Sequence, residues 1–162
     1  MIFVTVGSQK FQFNRLIKMV DKFIEDGKIS DNEVIGQIGS CSYEPKNFKT
    51  KKFYEKIFIN ELYDKADIII THGGTGSIIS ALERNKKVIV IPRESKYGEH
   101  VDDHQFQITK LFVELNYCFE ATDEESFSRC LARISEHKFS KFKSNNDFFF
   151  SNLLNLINSE SV

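Results

Sequence analysis

The chain has 162 residues, 41% of them apolar and 28% charged, with 22 Lys and Arg against 23 Asp and Glu. That length and composition indicate one globular domain with a single sizeable core, and exclude a disordered or fibrous chain and a two-lobed enzyme with a cleft of its own. The net charge of -1 argues against nucleic acid as the main partner, because phosphate backbones are held by clustered positive charge.

The chain opens on IFVTV, residues 2–6, a buried strand stopped by Gly7-Ser8. This start lacks the basic flank, apolar segment and cleavage site of a signal peptide, and no apolar run nears the ~20 residues that span a bilayer. Phe13, Leu16, Ile17, Val20, Phe23 and Ile24 recur at helical spacing, so residues 13–26 are predicted as a helix, with Gly27 at its C-terminal cap. Residues 33–38 form a second strand and 48–54 a poorer third. A helix over 56–65 follows, with Ile57, Phe58, Leu62 and Ala66 on one face. Residues 67–71 are a strand, 72–76 a glycine-rich turn, 77–84 a helix and 87–91 a strand stopped by Pro92, which is a βαβ unit with parallel strands. A polar loop leads to a helix over 102–116, a strand over 117–121 and a helix over 124–136. Residues 1–146 therefore read as one Rossmann-like, doubly wound α/β domain with a mostly parallel sheet. Residues 147–162 read as a C-terminal helix, apolar through Phe148, Phe149, Phe150, Leu153, Leu154, Leu156 and Ile157. It either docks a partner or folds back on its own sheet; a surplus of Phe, 16 in all, leaves room for the first. Cys41, Cys118 and Cys130 are widely spaced and read as reduced thiols.

In an open parallel sheet ligands sit at the carboxyl ends of the strands. Three polar loops fall there: Gly7-Ser8-Gln9, residues 72–77, and residues 93–105. In the second, Gly73, Gly74 and Gly76 allow close backbone approach, a helix begins near Thr75, and Thr75 and Ser77 add hydroxyls, which suits a phosphate group. No Lys follows the glycines, so this is not a metal-triphosphate P-loop; the bland alternative is a plain turn with Thr75 as N-cap. Residues 97–105 carry Glu99, His100, Asp102, Asp103, His104 and Gln105. Asp102 or Asp103 can cap the following helix, and His100, Asp103 and His104 can be read as metal ligands, but the sharper reading is a clamp for sugar hydroxyls.

VTVGSQ-x-FQFNRLIK, IITHGGTGSIISALE and IPR-x-x-x-YGEHVDDHQ-x-QIT, in that order, give nearly the whole chain a resemblance. It resembles the small catalytic subunits of two-part bacterial capsule and exopolysaccharide glycosyltransferases, the PssE and EpsF type. These are similar to the cytosolic catalytic subunit of the eukaryotic dolichol-linked GlcNAc transferase and to the C-terminal half of MurG, in glycosyltransferase family 28. Ser8 stands where Thr is common in that pattern, and Asn14 where Asp is common.

The resemblance implies the nucleotide-sugar half of a GT-B fold divided between two polypeptides. His72, Gly73, Gly74, Thr75, Gly76 and Ser77 then hold the diphosphate of a UDP-sugar, and Ser80 faces the ribose. His104 and Gln105, with Glu99, His100 and Asp103 beside them, meet the sugar, and Gly7, Ser8 and Gln9 line the cleft. The expected activity is inverting hexosyl transfer to a lipid-linked saccharide, first as a β-1,4-galactosyltransferase and second with GlcNAc. It implies no cofactor and no metal, since GT-B enzymes meet the leaving diphosphate with helix dipoles and backbone N–H groups. The general base and acceptor site belong to a membrane-anchored partner that holds this chain at the cytoplasmic face. The alternative is a non-catalytic nucleotide-sugar-binding or regulatory subunit of another transferase.

Overall fold

In the computed structural model, which describes residues 1–143 and 151, strand β1 (Ile2–Thr5) is buried along its whole length. It forms the centre of a six-stranded, wholly parallel sheet of order β3-β2-β1-β4-β5-β6. The other strands are β2 (Val34–Gln37), β3 (Lys49–Lys51), β4 (Ile68–Thr71), β5 (Lys87–Val90) and β6 (Phe119–Glu120). Helices α1 (Asn14–Glu25) and α5 (Glu124–Ile134) pack on one face. Helices α2 (Lys56–Lys65), α3 (Thr75–Leu82) and α4 (His104–Glu114) pack on the other. The expected Rossmann-like α/β domain is what the chain forms.

Alternation along the central strands explains their unbroken apolar runs. Ile2, Val4 and Val6 join Phe13, Leu16, Val20, Phe23 and Phe127 on the α1/α5 face. Phe3, Ile69, Val88 and Val90 join Ile78, Ala81 and Phe112 on the other, so a strand covered on both sides has no polar stripe to show. Chain order reverses between β1 and β4, whose register runs from Ile2↔Ile68 to Thr5↔Thr71. The crevice beyond those carboxyl ends is the topological switch point, the usual ligand site of such sheets.

Several local expectations change. Helix α3 starts at Thr75, earlier than predicted, because the Gly74 carbonyl accepts the Ser77 and Ile78 N–H groups and makes Gly74 the N-cap in place of Thr75. Helix α4 starts at His104, whose N–H donates to Asp102 Oδ1 at 3.1 Å. Asp103 stands at the N-cap without a side-chain bond to the helix. The apolar face expected on α2 is core only in its second half: Ala66 is buried and Leu62 packs against the core, with Tyr63 buried beside them, whereas Ile57 and Phe58 stay exposed. Strand β3 is confined to three residues at the sheet edge. The predicted C-terminal helix lies outside the described residues. Among those described, no helix is long and apolar enough to cross a membrane.

Candidate functional site

The three carboxyl-end loops meet around one imidazole. His72 follows β4 directly and is buried between the backbones of Gly7 and Gly74. A Cβ on Gly7 would lie 2.5 Å from His72 Cε1, and one on Gly74 would lie 2.3 Å from His72 Nε2. Gly7 also has φ +75°, in the left-handed region that a side chain disfavours. Thr71 Oγ1 donates its single proton to the Thr5 carbonyl at 3.2 Å. It therefore accepts from His72 Nδ1 at 3.3 Å, which leaves the ring lone pair on Nε2.

Burial first, then the nearby Arg93 charge and His100, depress the His72 pKa to about 3, only partly offset by the Thr5 backbone. His72 is thus a neutral spacer joining two loops. It is neither a cation for a phosphate nor a wall of the pocket beside it. The linkage has a definite sign. The unfolded chain takes a proton near pH 6.5, whereas the folded ring resists it down to about 3, so stability is complete above 6.5 and falls across that window. About 1 kcal/mol should be lost on moving from pH 7.5 to 5.5. Urea midpoints measured against pH should show this slope, and a His72→Asn chain should flatten it.

The other glycines and Gln105 serve the same joint. A Cβ on Gly73 would lie 2.6 Å from Gln105 Cβ, so Gly73 is small to admit the first turn of α4. Gln105 Oε1 accepts from Gly73 N at 3.0 Å and from Arg93 N at 3.2 Å. Two backbone donors on that atom fix the amide orientation and leave Nε2 without a bond among the described residues. Gln105 is buried and ties the β4–α3 loop to the β5–α4 loop; its free amide is what it can offer a ligand.

Arg93, fully buried, closes the set. Its Nη1 donates to the carbonyls of Phe11, Gln12 and Glu99 at 3.0, 3.2 and 2.9 Å, and its Nη2 to that of Val6 at 2.8 Å. Its Nε has no acceptor among the described residues. The reading of loops alone passed over Arg93; its place just after Pro92, at the end of β5, was the available signal.

Glu99 is not a ligand group. It is buried, its Oε1 accepts from Arg15 Nε at 3.0 Å, and its Oε2 accepts from Arg15 Nη2 at 2.8 Å and from Glu94 N at 2.9 Å. Both oxygens are used in pinning the 93–99 loop to α1. Asp103 is diverted likewise: Ser95 N–H donates to it at 2.7 Å and holds its carboxyl below the usual range. His100 Nδ1 lies 3.1 Å from Asp102 Oδ1 and its ring leans on Phe11. His104 is half-exposed, with Nε2 3.5 Å from Asp102 Oδ2. Among the described residues no three His, Cys, Asp or Glu side chains gather as a metal site.

Beside this joint, on the α2/α3 side of the switch point, is an open pocket of about 480 Å³. Gly7, Ser8, Gly76, Ser77 and Ser80 line it, as do Thr5, Gln37, Phe53, Tyr54, Lys56, Ile59 and Tyr63. Five of the fifteen sequence candidates thus reach one cavity. His72, Gly73, Gly74, Thr75, the exposed Gln9 and residues 99–105 are not in its lining; His72 packs against its Gly7, and Gln105 packs on Gly73. The first N–H groups of α3, at Thr75 and Gly76, have no carbonyl partner among the described residues, as at any helix start, and Gly76 lines the pocket. Gln37, Phe53, Tyr54 and Lys56 were missed. Gln37 ends β2 next to β1, and its Oε1 accepts from Tyr54 N at 3.0 Å, which folds the 52–55 segment over the pocket. A flat aromatic wall, hydroxyls, a lysine and free N–H groups suit a ligand with a ring at one end and phosphate at the other.

A sequence profile of the Glycosyltransferase family 28 C-terminal domain matches residues 1–157. The UDP-N-acetylglucosamine transferase subunit ALG13 of Candida albicans is 32% identical over 146 residues, which are 90% of this chain and 45% of that protein. The human protein of the same name is 28% identical over 127 residues, 75% of this chain and 11% of its own length. The chain thus spans less than half of these relatives. An NMR solution structure of ALG13 superposes with TM-score 0.59 at 24% identity, covering 94% of both chains. MurG of Acinetobacter baumannii superposes with TM-score 0.52 at 13% identity, covering 84% of this chain and 45% of that one. At those identities the likeness is one of fold.

Proposed function

Because the chain belongs to the Glycosyltransferase family 28 C-terminal domain family, we propose that it is the donor-binding subunit of a divided GT-B glycosyltransferase, and that the switch-point pocket takes a UDP-sugar. The observation that carries this is the pocket itself, set where an open parallel sheet binds nucleotides and rimmed by the start of α3. The diphosphate lies against the Thr75 and Gly76 N–H groups, with the Ser77 hydroxyl and Lys56 beside it. The nucleoside lies along Tyr54 and Phe53, within reach of Ser80 and Gln37. His104 and the free Nε2 of Gln105 stand on the side left for the sugar.

The names of the relatives, UDP-N-acetylglucosamine transferase subunits, put N-acetylglucosamine ahead of the galactose expected from the bacterial resemblance. Leaving-group charge is met by helix dipole and N–H groups, so transfer needs no metal. An in-line attack also needs an acceptor hydroxyl and a base to take its proton. A membrane-anchored partner supplies both, together with the lipid-linked acceptor, in synthesis of a glycoconjugate such as a capsule or exopolysaccharide.

Calorimetry tests the reading. The chain should bind UDP and bind UDP-N-acetylglucosamine more tightly than UDP-galactose or UDP-glucose, with EDTA changing neither affinity. His104→Ala should weaken UDP-sugar binding roughly tenfold more than UDP binding, as expected for one lost polar contact to the sugar. Absence of UDP binding at millimolar concentration, or an affinity restored only by Mg²⁺ or Mn²⁺, would overturn it.

A further inference from the structure

Residues 46–58 hold five lysines, Lys46, Lys49, Lys51, Lys52 and Lys56, against one carboxylate, Glu55, in a chain whose net charge is -1. All five are exposed, and among the described residues none of their ammonium groups pairs with a carboxylate within 4 Å; Lys46 meets Asp21 through its backbone N–H alone. Lys51 Nζ lies over the Tyr54 ring at 5.3 Å. The pleat decides which way the strand lysines face. Phe48 and Thr50 sit over Gly36, whose partner Val4 faces α1. Lys49 and Lys51 therefore face the α2 side, next to the first turn of that helix. There Phe53 is 52% exposed, Ile57 64% and Phe58 50%, three of the five large apolar side chains exposed among the described residues.

Lysines on an edge strand also serve to block pairing with another sheet, but that role gives no reason for three bare apolar side chains beside them. Ammonium groups in a row next to a short apolar ridge match an anionic bilayer surface, where headgroup phosphates meet the lysines and the acyl boundary takes the ridge. The most exposed member of the ridge, Ile57, is aliphatic and has no face to stack on a base, which favours lipid over single-stranded nucleic acid.

We propose that the β3 edge and the first turn of α2 form a docking surface for an anionic lipid bilayer. The chain itself then touches the membrane, apart from any contact made through a partner. Phe53 of the ridge and Lys56 of the lysine row also line the pocket, so docking sets the pocket mouth at headgroup level. That consequence rests on the proposed function; the docking surface does not.

Co-sedimentation of the 162-residue chain with phosphatidylcholine vesicles, with and without phosphatidylglycerol, is the test. Binding should require phosphatidylglycerol and weaken as salt rises. The variant Lys49→Gln/Lys52→Gln should partition roughly tenfold less or lower still, and Ile57→Ser/Phe58→Ser should also lose binding. Both variants spare the pocket wall, so their melting temperatures and UDP affinities should stay at the parent values. No binding to phosphatidylglycerol vesicles, equal binding to both compositions, or binding indifferent to both variants overturns the proposal. Retention on single-stranded RNA through the same lysines, without vesicle binding, overturns it too. UDP binding without vesicle binding removes the docking surface alone; vesicle binding without UDP binding removes the pocket reading alone.

Discussion

A Gly74→Val chain should lose UDP binding and much of its stability together, and the smaller Gly74→Ala should already be damaged. Gly74 has φ -75° and ψ 122°, a backbone that any residue adopts, so the demand for glycine is one of space. The space is occupied by His72, with Nε2, Cδ2 and Cε1 at 2.3, 2.9 and 3.0 Å from a built Cβ. The ring cannot retreat, because Gly7 closes on its other side at similarly short range. Overpacking of a buried site typically costs about 1–3 kcal/mol, and the upper end applies where the neighbour has nowhere to go. The cause can be isolated by a double-mutant cycle read by urea denaturation. Gly74→Ala should cost about 3 kcal/mol alone and less than about 1 kcal/mol in a His72→Ala background, since the clash leaves with the ring. Simple additivity would show that the glycine is needed for something other than His72.

Replacing Arg93 by Met should be the most destabilising single change at the joint. The guanidinium donates to four carbonyls on the segment after β1 and the loop after β5, and its plane lies over Phe13 with Cζ 5.0 Å from the ring centroid. Burial draws its pKa below the ordinary arginine value, an effect that Cys41 and the Glu99 carboxylate oppose. Methionine fills similar volume but leaves those carbonyls buried without donors, at about 3–5 kcal/mol. For a domain of this size that is a fall of roughly 10 °C or more in melting temperature. Arg93→Lys should recover only a minor part, because one ammonium cannot reproduce the guanidinium fork. A melting temperature of Arg93→Met within a few degrees of the parent would mean that water or loop relaxation satisfies those carbonyls, and that the loops do not depend on this residue.

Periodicity, length and turn chemistry determined the architecture from the sequence alone. IFVTV and DIIIT are too apolar for a sheet wetted on either face, and the alternation of strand and helix leaves a doubly wound parallel sheet as the simple solution. The motifs around Gly7, His72 and Gln105 were legible as the place where three loops meet, because a parallel sheet delivers its carboxyl ends to one edge. What each residue does there was not legible. Sequence shows that a glycine is present but not what fills the space beside it; the tertiary fold placed His72 against Gly7 and Gly74, and Gln105 against Gly73. Polar side chains such as Glu99 and Asp103 look alike in a motif whether they face a ligand or a backbone N–H. Their roles were decided by Arg15, 84 positions from Glu99, and by Ser95. Gln37, Phe53, Tyr54 and Lys56 came to the pocket only because β2 lies beside β1 and β3 beside β2 in the sheet, an adjacency fixed by strand order and invisible to local pattern. The same limit explains Ile57 and Phe58. A helical apolar face reads as core until the sheet ends beneath it, and here the sheet ends at β3.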